Sequence, residues 1–246
     1  PYSAIALAVL AQEAGVPNGV FNLVTGDPES IGKELTTNRI VRKITFTGST
    51  EVGKILMRQS SDSIKKLSLE LGGNSPFIVF DDADIKKAAK DAVSCKFRNS
   101  GQTCVCANRI YVQESVHDQF VEYFLEAVQA LKVGNGFDDG VTQGPLIDQH
   151  AIDKMESHVK DALSHGAQLL TGGKRHALGA NFYEPTILLN LNNKMRLYSE
   201  ETFGPIAAIA KFKTEEEVIE IANDTDYGLA AYVHTSNIGR MFRVSE

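Results

Sequence analysis

Apolar and polar positions in the first part of the chain follow the periods of alternating helices and strands. An alanine-rich segment at residues 2–14 predicts a helix that Gly15 ends. The apolar run at residues 20–24 predicts a strand. Residues 26–30 predict a turn that leads into a short helix from Ile31. The chain is therefore expected to open with a helix, a strand and a second helix.

The following segments repeat this order. Residues 44–47 predict a strand and residues 50–59 predict a helix. Leu67, Leu69 and Leu71 then alternate with polar residues, which predicts a strand with the leucines on one face. Strands that alternate with helices are typical of a parallel sheet covered by helices. The pattern therefore predicts an α/β fold.

Beyond the glycine pair that follows this strand, a second set of α/β elements is predicted. The strands are expected at residues 77–80, 110–113, 168–170, 186–189 and 206–212, and the helices at residues 85–97, 116–131, 151–165 and 215–223. Asp84 is expected to cap the first of these helices. A glycine-rich loop is expected at residues 134–144, and the chain contains no internal repeat.

Composition and charge narrow the class of protein. Of the 246 residues, 43% are hydrophobic and 23% are charged, which is ordinary for a globular enzyme. The net charge of -6 and the scattered lysines and arginines argue against a nucleic-acid partner. No apolar stretch is long enough to span a bilayer, so no membrane partner is expected. The six histidines form no metal-ligand pattern, and we expect His158 and His165 at the surface and no bound metal.

The segment Asn99–Asn108 carries the most informative chemistry, because it presents Cys104 in a short polar, glycine-bearing stretch. A nucleophilic cysteine needs access and nearby donors that favour the thiolate, whereas a structural cysteine is usually packed among apolar neighbours. A cysteine that fills a core pocket beside a loop is the alternative. The odd number of three cysteines does not fit a disulfide framework, which indicates a reducing compartment.

Two further segments offer polar chemistry at strand ends. Glu70 lies at the end of the leucine-alternating strand beside two glycines, and a partly desolvated Glu near a nucleophile is a candidate general base. The alternative for Glu70 is a solvated strand face. The residues Gly48, Ser49 and Thr50 lie between a strand and a helix, where backbone N–H groups and hydroxyls can bind an anion. Ser49 or Thr50 could instead act only as the helix N-cap.

In this order, these segments resemble those of the aldehyde dehydrogenase superfamily. The resemblance rests on F-T-G-S-T-E-V-G at residues 46–53, L-E-L-G-G at 69–73, F-R-N-S-G-Q-T-C at 97–104 and E-E-T-F-G-P at 200–205. It implies the second half of a Rossmann-like, dinucleotide-binding cofactor domain at residues 1–72 and an α/β catalytic domain at residues 73–246. It also implies that further segments precede and follow this chain in a longer protein.

The resemblance assigns a role to each motif. Cys104 corresponds to the catalytic nucleophile, which forms a thiohemiacetal and then a thioacyl intermediate, and Glu70 corresponds to the general base. The cofactor is NAD or NADP. The residues implied to bind it are Thr47, Gly48, Ser49, Val52, Gly53, Leu71, Glu201 and Phe203.

Within the superfamily, K-F-R-N-S-G-Q-T-C-V-C-A-N-R at residues 96–109 resembles the succinate-semialdehyde dehydrogenase branch. There an arginine at the position of Arg98 helps bind the distal carboxylate of the substrate, and a second cysteine stands at the position of Cys106. Arg98 could alternatively be a surface or helix-end arginine. If Cys104 and Cys106 lie in extended backbone, they are close enough for a strained, reversible disulfide, which makes Cys106 a redox candidate. The alternative is that Cys106 only packs beneath the loop.

The expected reaction is therefore the NAD(P)-dependent oxidation of succinate semialdehyde to succinate. Glutarate semialdehyde or another aldehyde is the alternative substrate, and a folded but inactive piece of such an enzyme is the alternative to an active one. The expected partner is a small aldehyde with a distal carboxylate. We also expect a homo-oligomer for the longer protein, in the cytoplasm or in the mitochondrial matrix.

Overall fold

The computed structural model describes residues 1–246, and its internal contacts divide the chain into two compact units. The first unit comprises Pro1–Leu71 and the second comprises Gly72–Glu246. This division lies next to the boundary that the sequence predicts between residues 72 and 73. Each unit has its own sheet.

The first unit contains three helices and a parallel pair of strands. In chain order its elements are α1 Tyr2–Glu13, α2 Pro28–Thr37, β1 Lys43–Thr47, α3 Thr50–Ser60 and β2 Lys66–Glu70. The two strands are in register over their whole length, and Thr47 pairs with Glu70 at the end of the sheet. The ends of β1 and β2 therefore lie side by side, as expected for parallel strands joined by a helix.

Two helices of this unit begin at side-chain caps. The carboxylate of Asp27 accepts a hydrogen bond from the N–H of Ser30 at 2.8 Å, and Pro28 follows as the first helical residue of α2. The hydroxyl of Ser49 accepts from the N–H of Val52 at 3.3 Å at the start of α3. Ser49 is therefore the N-cap of α3.

Two expectations for the first unit are wrong. Residues 20–24 form no strand: they are exposed, and no strand lies beside them to pair with their backbone. Apolar side chains alone do not make a strand without a hydrogen-bonding neighbour. The second helix begins at Pro28 rather than at Ile31, because the Asp27 cap starts the helix directly after the turn.

The second unit is built on a six-stranded sheet with the order β5-β6-β7-β4-β3-β8. Its elements are β3 Ser75–Val79, α4 Ile85–Phe97, β4 Ala107–Gln113, α5 His117–Gln129, α6 Gln149–Ser164, β5 Gln168–Thr171, β6 Thr186–Leu189, α7 Arg196–Ser199, β7 Ile206–Phe212, α8 Glu215–Asn223, β8 Tyr232–His234 and α9 Ile238–Ser245. All neighbouring strands are parallel except β5, which is antiparallel to β6.

The sheet is covered on both faces, which explains the continuous apolar runs of its central strands. Phe77 and Val79 of β3 pack in one cluster with α4 and α5. Their neighbour Ile78 faces the other cluster, which includes Met155 of α6 and residues of α7 and α8. The α/β class and the predicted strands of this unit are confirmed.

The structure also contains three elements that the sequence pattern did not predict, namely α7, β8 and α9. The first two are only four and three residues long, too short to show a period. No helix in the chain has the length and apolarity required to cross a membrane.

Candidate active site

The segment that carries Cys104 connects α4 to β4 through unusual backbone. Asn99, Ser100 and Gly101 have φ angles of 52°, 58° and 74°, so three consecutive residues are left-handed. Most residues other than glycine and asparagine adopt this region at a cost, and strain of this kind is concentrated at functional sites. The segment therefore needs contacts from elsewhere in the fold to hold its conformation.

Such contacts come from the loop at residues 144–147. The Ser100 hydroxyl donates to the carbonyl of Gly144 at 2.8 Å. The side chain of Gln102 accepts from the N–H of Ile147 at 2.9 Å and donates to the carbonyl of Asn99 at 3.1 Å. The end of the predicted glycine-rich loop and the residues after it therefore hold the cysteine segment through hydrogen bonds.

Cys104 lies in a tight turn that the N–H of Cys106 closes by donating to the carbonyl of Thr103 at 3.1 Å. Cys104 is half-buried, and its own backbone N–H donates to no acceptor within the protein. Cys106 is fully buried, and its thiol lies 3.3 Å from the carbonyl of Lys96. Burial raises the pKa of the Cys106 thiol, with Lys96 opposing the effect. Cys104 is thus the accessible thiol of the pair.

The extended spacing expected between Cys104 and Cys106 is wrong. The backbone turns between the two residues, and Cys106 points into the interior beneath the turn. The geometric basis for a reversible bridge between them is therefore absent from this conformation, and Cys106 has the environment of a packed, protonated thiol.

The glycine pair that follows β2 approaches the cysteine turn closely. A Cβ atom on Gly73 would lie 2.1 Å from the carbonyl oxygen of Cys104, so no other residue fits at this position without moving the turn. The Gly73 carbonyl also accepts from the side-chain amide of Asn108 at 3.2 Å. Gly73 therefore fixes the position of the Cys104 backbone by direct contact.

The segment Glu200–Pro205 completes this cluster. The Glu201 carboxylate accepts from the N–H of Gly73 at 2.9 Å, and a Cβ atom on Gly101 would lie 2.2 Å from the carbonyl oxygen of Gly204. Phe203 has a left-handed φ of 53° and its side chain is 38% exposed. Three motifs that are far apart in the sequence therefore meet around Cys104 within the second unit.

Behind this cluster lie two buried polar residues that the sequence analysis did not single out. Lys96 is fully buried, and its ammonium group donates to the side-chain oxygen of Asn108 at 2.9 Å. Because Asn108 also holds Gly73, the pair links α4 to the glycine segment. Lys96 follows Ala92 by one helical turn on the buried face of α4, and this position on an apolar stripe is the signal that could have identified it.

His158 is not at the surface, so that expectation is wrong. Its ring is fully buried, and its Nε2 lies 3.2 Å from the Glu200 carboxylate, which also binds Arg196. Burial lowers the pKa of His158 to about 4, although Glu200 opposes the shift. A neutral imidazole thus supports the segment that carries Glu201. A lone histidine on an amphipathic helix gives no sequence signal of such burial.

Arg98 stands at the C-terminal end of α4, directly before the left-handed segment. It is exposed and forms no ion pair with any residue of the protein. Its guanidinium can therefore still receive a carboxylate from outside, although its place at a helix end also agrees with the alternative interpretation. No group of His, Cys, Asp and Glu side chains in the chain could hold a metal ion.

Within the first unit, the residues of the second predicted site lie at the end of the two-stranded sheet. Thr47 is paired with Glu70, and the N–H of Gly48 donates to the Glu70 carbonyl at 3.0 Å. Thr47, Gly48 and Ser49 are exposed. Glu70 is exposed as well, so the expected partial desolvation of its carboxylate is wrong.

The remaining residues expected to bind the cofactor divide into two environments. Val52 is 41% exposed, whereas Gly53 is buried and packs against Leu71, with a side-chain carbon 2.6 Å from the position of a Cβ at residue 53. A cleft of about 580 Å³ opens beside Val52 in the same unit. Its apolar wall includes Val24, Ile31, Leu35, Ile44, Phe46 and Leu56.

Comparison with known proteins agrees with this arrangement of motifs. The profile of the Aldehyde dehydrogenase family matches residues 1–246. The chain belongs to the aldehyde dehydrogenase family. It is 56% identical, over its whole length, to the NADP(+) succinate-semialdehyde dehydrogenase of Escherichia coli and to the glutarate-semialdehyde dehydrogenase of Pseudomonas aeruginosa. It covers 51% of each, so the chain spans about half the length of these curated relatives.

Solved structures show the same similarity. The crystal structure of succinate-semialdehyde dehydrogenase from Burkholderia pseudomallei superimposes with a TM-score of 0.98 at 56% identity. The match covers 100% of this chain and 51% of that one. The resemblance of the motifs to this family and the expected fold are therefore confirmed.

Proposed function

We propose that the protein oxidises a small aldehyde with a distal carboxylate, with NAD or NADP as the hydride acceptor and Cys104 as the nucleophile. The observation that carries this proposal is that Gly73 lies against the Cys104 carbonyl while the Glu201 carboxylate accepts a hydrogen bond from the N–H of Gly73. Gly101, three residues before Cys104, is in turn packed against Gly204. A strained, externally supported turn that presents one accessible thiol suits covalent catalysis better than core packing.

The chemistry begins at the Cys104 sulfur. The thiolate attacks the aldehyde carbon, a carbon–sulfur bond forms, and the carbonyl π electrons move to the oxygen to give a thiohemiacetal oxyanion. The backbone N–H of Cys104 has no acceptor within the protein and is available to donate to that oxyanion. The tight turn holds sulfur and N–H together, so the donor is in place before charge develops.

The residues of the first unit fit a dinucleotide. Ser49 caps α3, and the N–H groups of Thr50 and Glu51 at its first turn have no acceptor, which suits a pyrophosphate. The apolar cleft beside Val52 suits a flat aromatic base. Thr47 and Gly48 would contact the same cofactor. Gly53 and Leu71 would shape this site through their packing.

In the second unit, Glu201 and Phe203 would hold the nicotinamide ribose. Bound NAD or NADP supplies the hydride acceptor for the step that turns the thiohemiacetal into a thioacyl group. Glu201 is placed by the N–H of Gly73 and by Lys154, whose ammonium donates to the Glu201 carbonyl at 2.6 Å. The first bond fixes the carboxylate of Glu201, and the second fixes the backbone of the segment that also carries Phe203.

Release of the acid requires water and a base. We assign this role to Glu70, whose carboxylate would take a proton from water while the hydroxide oxygen attacks the thioacyl carbon and the Cys104 sulfur leaves. An exposed carboxylate at the end of β2 has the access to water that such a step needs. Its backbone is fixed by its pairing with Thr47 and by the N–H of Gly48.

Arg98 defines the substrate class. Its exposed and unpaired guanidinium follows α4 a few residues before the nucleophile and can bind a carboxylate through two hydrogen bonds. Succinate semialdehyde is the substrate that we propose first. Glutarate semialdehyde is the second candidate, because the relative of that name is equally similar at 56% identity. Comparison of kcat/KM for the two semialdehydes and for an uncharged aldehyde decides between them.

Replacement of the nucleophile tests the proposed reaction. Cys104→Ser should abolish aldehyde-dependent formation of NADH or NADPH, while the affinity for the cofactor, measured by fluorescence titration, should stay unchanged. The cofactor titration serves as the control for correct folding. Turnover by Cys104→Ser comparable to the unmodified protein, or no turnover by the unmodified protein with any semialdehyde, would refute the proposal.

A further inference from the structure

The turn that carries Cys104 is also held by a hydrogen bond from β8, a strand of only three residues at the edge of the sheet. The hydroxyl of Tyr232 in β8 donates to the carbonyl oxygen of Val105 at 2.7 Å. The thiol of Cys95 in α4 is a second and weaker donor to the same oxygen, at 3.8 Å. Residues 127 positions apart in the sequence are thus joined next to the proposed nucleophile.

The bond matters because of the peptide group on which it acts. The peptide between Val105 and Cys106 is held at both ends: its N–H donates to Thr103, and its carbonyl accepts from Tyr232. A peptide group held at both ends resists changes in the ψ of Val105 and the φ of Cys106, the dihedral angles that set the path of the chain out of the turn that carries Cys104. Without the Tyr232 hydroxyl, this peptide group would keep only the hydrogen bond from its N–H to Thr103 and the weak contact of its carbonyl with the Cys95 thiol.

The ring of Tyr232 is fixed independently of this bond. Tyr232 pairs with Phe77 of β3 in the parallel register, and the two ring centroids are 5.7 Å apart. Burial raises the pKa of the Tyr232 phenol to about 12, while the charge of Arg98 opposes the shift. The hydroxyl therefore stays protonated and acts as a donor throughout the physiological pH range.

The left-handed segment lies directly before the turn, so the turn needs a contact on its C-terminal side as well to keep its conformation. Residues in this region cost roughly 1–3 kcal/mol each when they are not glycine, and Asn99 and Ser100 both lie there. Ser100 and Gln102 are held on one side by the loop at residues 144–147. After the turn, the hydroxyl of Tyr232 donates a short hydrogen bond of 2.7 Å to the Val105 carbonyl.

We propose that Tyr232 is a positioning residue that holds the Cys104 turn in its reactive conformation through the Val105 carbonyl. This inference rests on the proposed role of Cys104 as the nucleophile. Tyr232 itself would touch neither substrate nor cofactor in this role. The effect of its hydroxyl is to keep the Cys104 sulfur and backbone N–H in one arrangement.

The test uses Cys106 as a reporter of the turn. Because Cys106 is fully buried beneath the turn, iodoacetamide can reach it only when the turn opens. We expect Tyr232→Phe to raise the alkylation rate of Cys106 about fivefold, the factor that one ordinary hydrogen bond contributes to an opening equilibrium. The labelling is measured in a Cys104→Ser background, so that the peptide reports Cys106 alone. Cys95→Ala should act in the same direction with a smaller factor.

The second measurement uses the protein with Cys104 intact. Tyr232→Phe should slow the pre-steady-state burst of NADH or NADPH by about threefold or more and leave cofactor affinity unchanged, because only the geometry of the nucleophile is altered. Tyr183→Phe is the matched control: its hydroxyl is also buried but has no hydrogen-bond partner. Neither measurement should change in that variant.

Two results would overturn the inference. Unchanged Cys106 labelling in Tyr232→Phe would show that the bond does not hold the turn. Faster labelling with an unchanged burst would show that the turn is anchored without any effect on the nucleophile. If Tyr232→Phe does not fold, Cys95→Ala is judged by the same two criteria. An unmodified protein that oxidises no aldehyde would reject the proposed function, and the labelling would still report on the bond.

Discussion

The contact between Gly73 and the Cys104 carbonyl gives a prediction whose size can be worked out from the structure. An alanine at residue 73 places its Cβ 2.1 Å from a backbone oxygen, whereas real Cβ atoms essentially never approach closer than 3.0 Å. The new Cβ and the Cys104 carbonyl oxygen must therefore separate by about 1 Å. A displacement of this size costs the neighbouring atoms a large part of their van der Waals attraction. A backbone carbonyl cannot rotate away like the end of a flexible side chain.

Two consequences follow for Gly73→Ala. Overpacking of this kind costs about 1–3 kcal/mol in the free energy of unfolding, measured by urea denaturation. Displacement of the nucleophile by about 1 Å should slow the chemical step by a factor on the order of a hundred, measured as the rate of the NADH or NADPH burst. A hundredfold loss in rate corresponds to about 2.7 kcal/mol in the activation barrier, so we expect both losses to be clear, because the clash falls on the turn that carries Cys104.

Gly136→Ala is the matched control, because a Cβ at residue 136 meets no atom within 4 Å and its φ is not left-handed. It should change both quantities by no more than a surface substitution does, about 0.5 kcal/mol in stability. A Gly73→Ala protein with the burst rate and the unfolding free energy of the unmodified protein would refute the reasoning.

Three further predictions concern Glu70, Arg98 and His158. Glu70→Gln should keep the burst but suppress steady turnover, because the base is needed only for deacylation; an unchanged steady rate would make Glu70 structural. Arg98→Ala should raise the KM for succinate semialdehyde far more than that for butanal, since only the former loses a charge-assisted contact of roughly 1.5–3 kcal/mol; equal effects would contradict this. In the unmodified protein, stability should fall as the pH is lowered from 6.5 towards 4, because the unfolded chain protonates His158 first, and the loss should reach about 3 kcal/mol at most. His158→Gln should flatten this profile in urea denaturation, and an identical slope would be evidence against it.

The central strands of the second unit were predicted well from the sequence, because β4 and β7 are seven residues long, mostly apolar and covered on both faces. Strand β7 and helix α8 have the predicted bounds, and Asp84 caps α4 as expected. Such elements carry their own period and their own cap signals. The strand prediction at residues 20–24 was wrong because a strand needs a hydrogen-bonding neighbour, and the local sequence pattern does not show whether one is present.

The candidate site was predicted at the level of motifs but not of contacts. Cys104 and Glu201 were named from their segments, yet their common dependence on Gly73 is a property of three separated stretches of chain. Cys106 was misjudged because a spacing of two residues was taken as extended backbone, whereas the turn directs its thiol inward. Tyr232 carried no signal at all, because its role arises from the pairing of β8 with β3.

Isolation of the covalent intermediate on Cys104 is the most direct test of the proposed reaction. Glu70→Gln protein is mixed with succinate semialdehyde and NADP+, and in parallel with NAD+, then quenched in acid, digested and examined by mass spectrometry. We expect one succinyl group on the sulfur of Cys104, with Cys95 and Cys106 unmodified, in an amount equal to the burst of reduced cofactor. A burst without an acyl group on Cys104, or an acyl group on another residue, would contradict the proposed reaction.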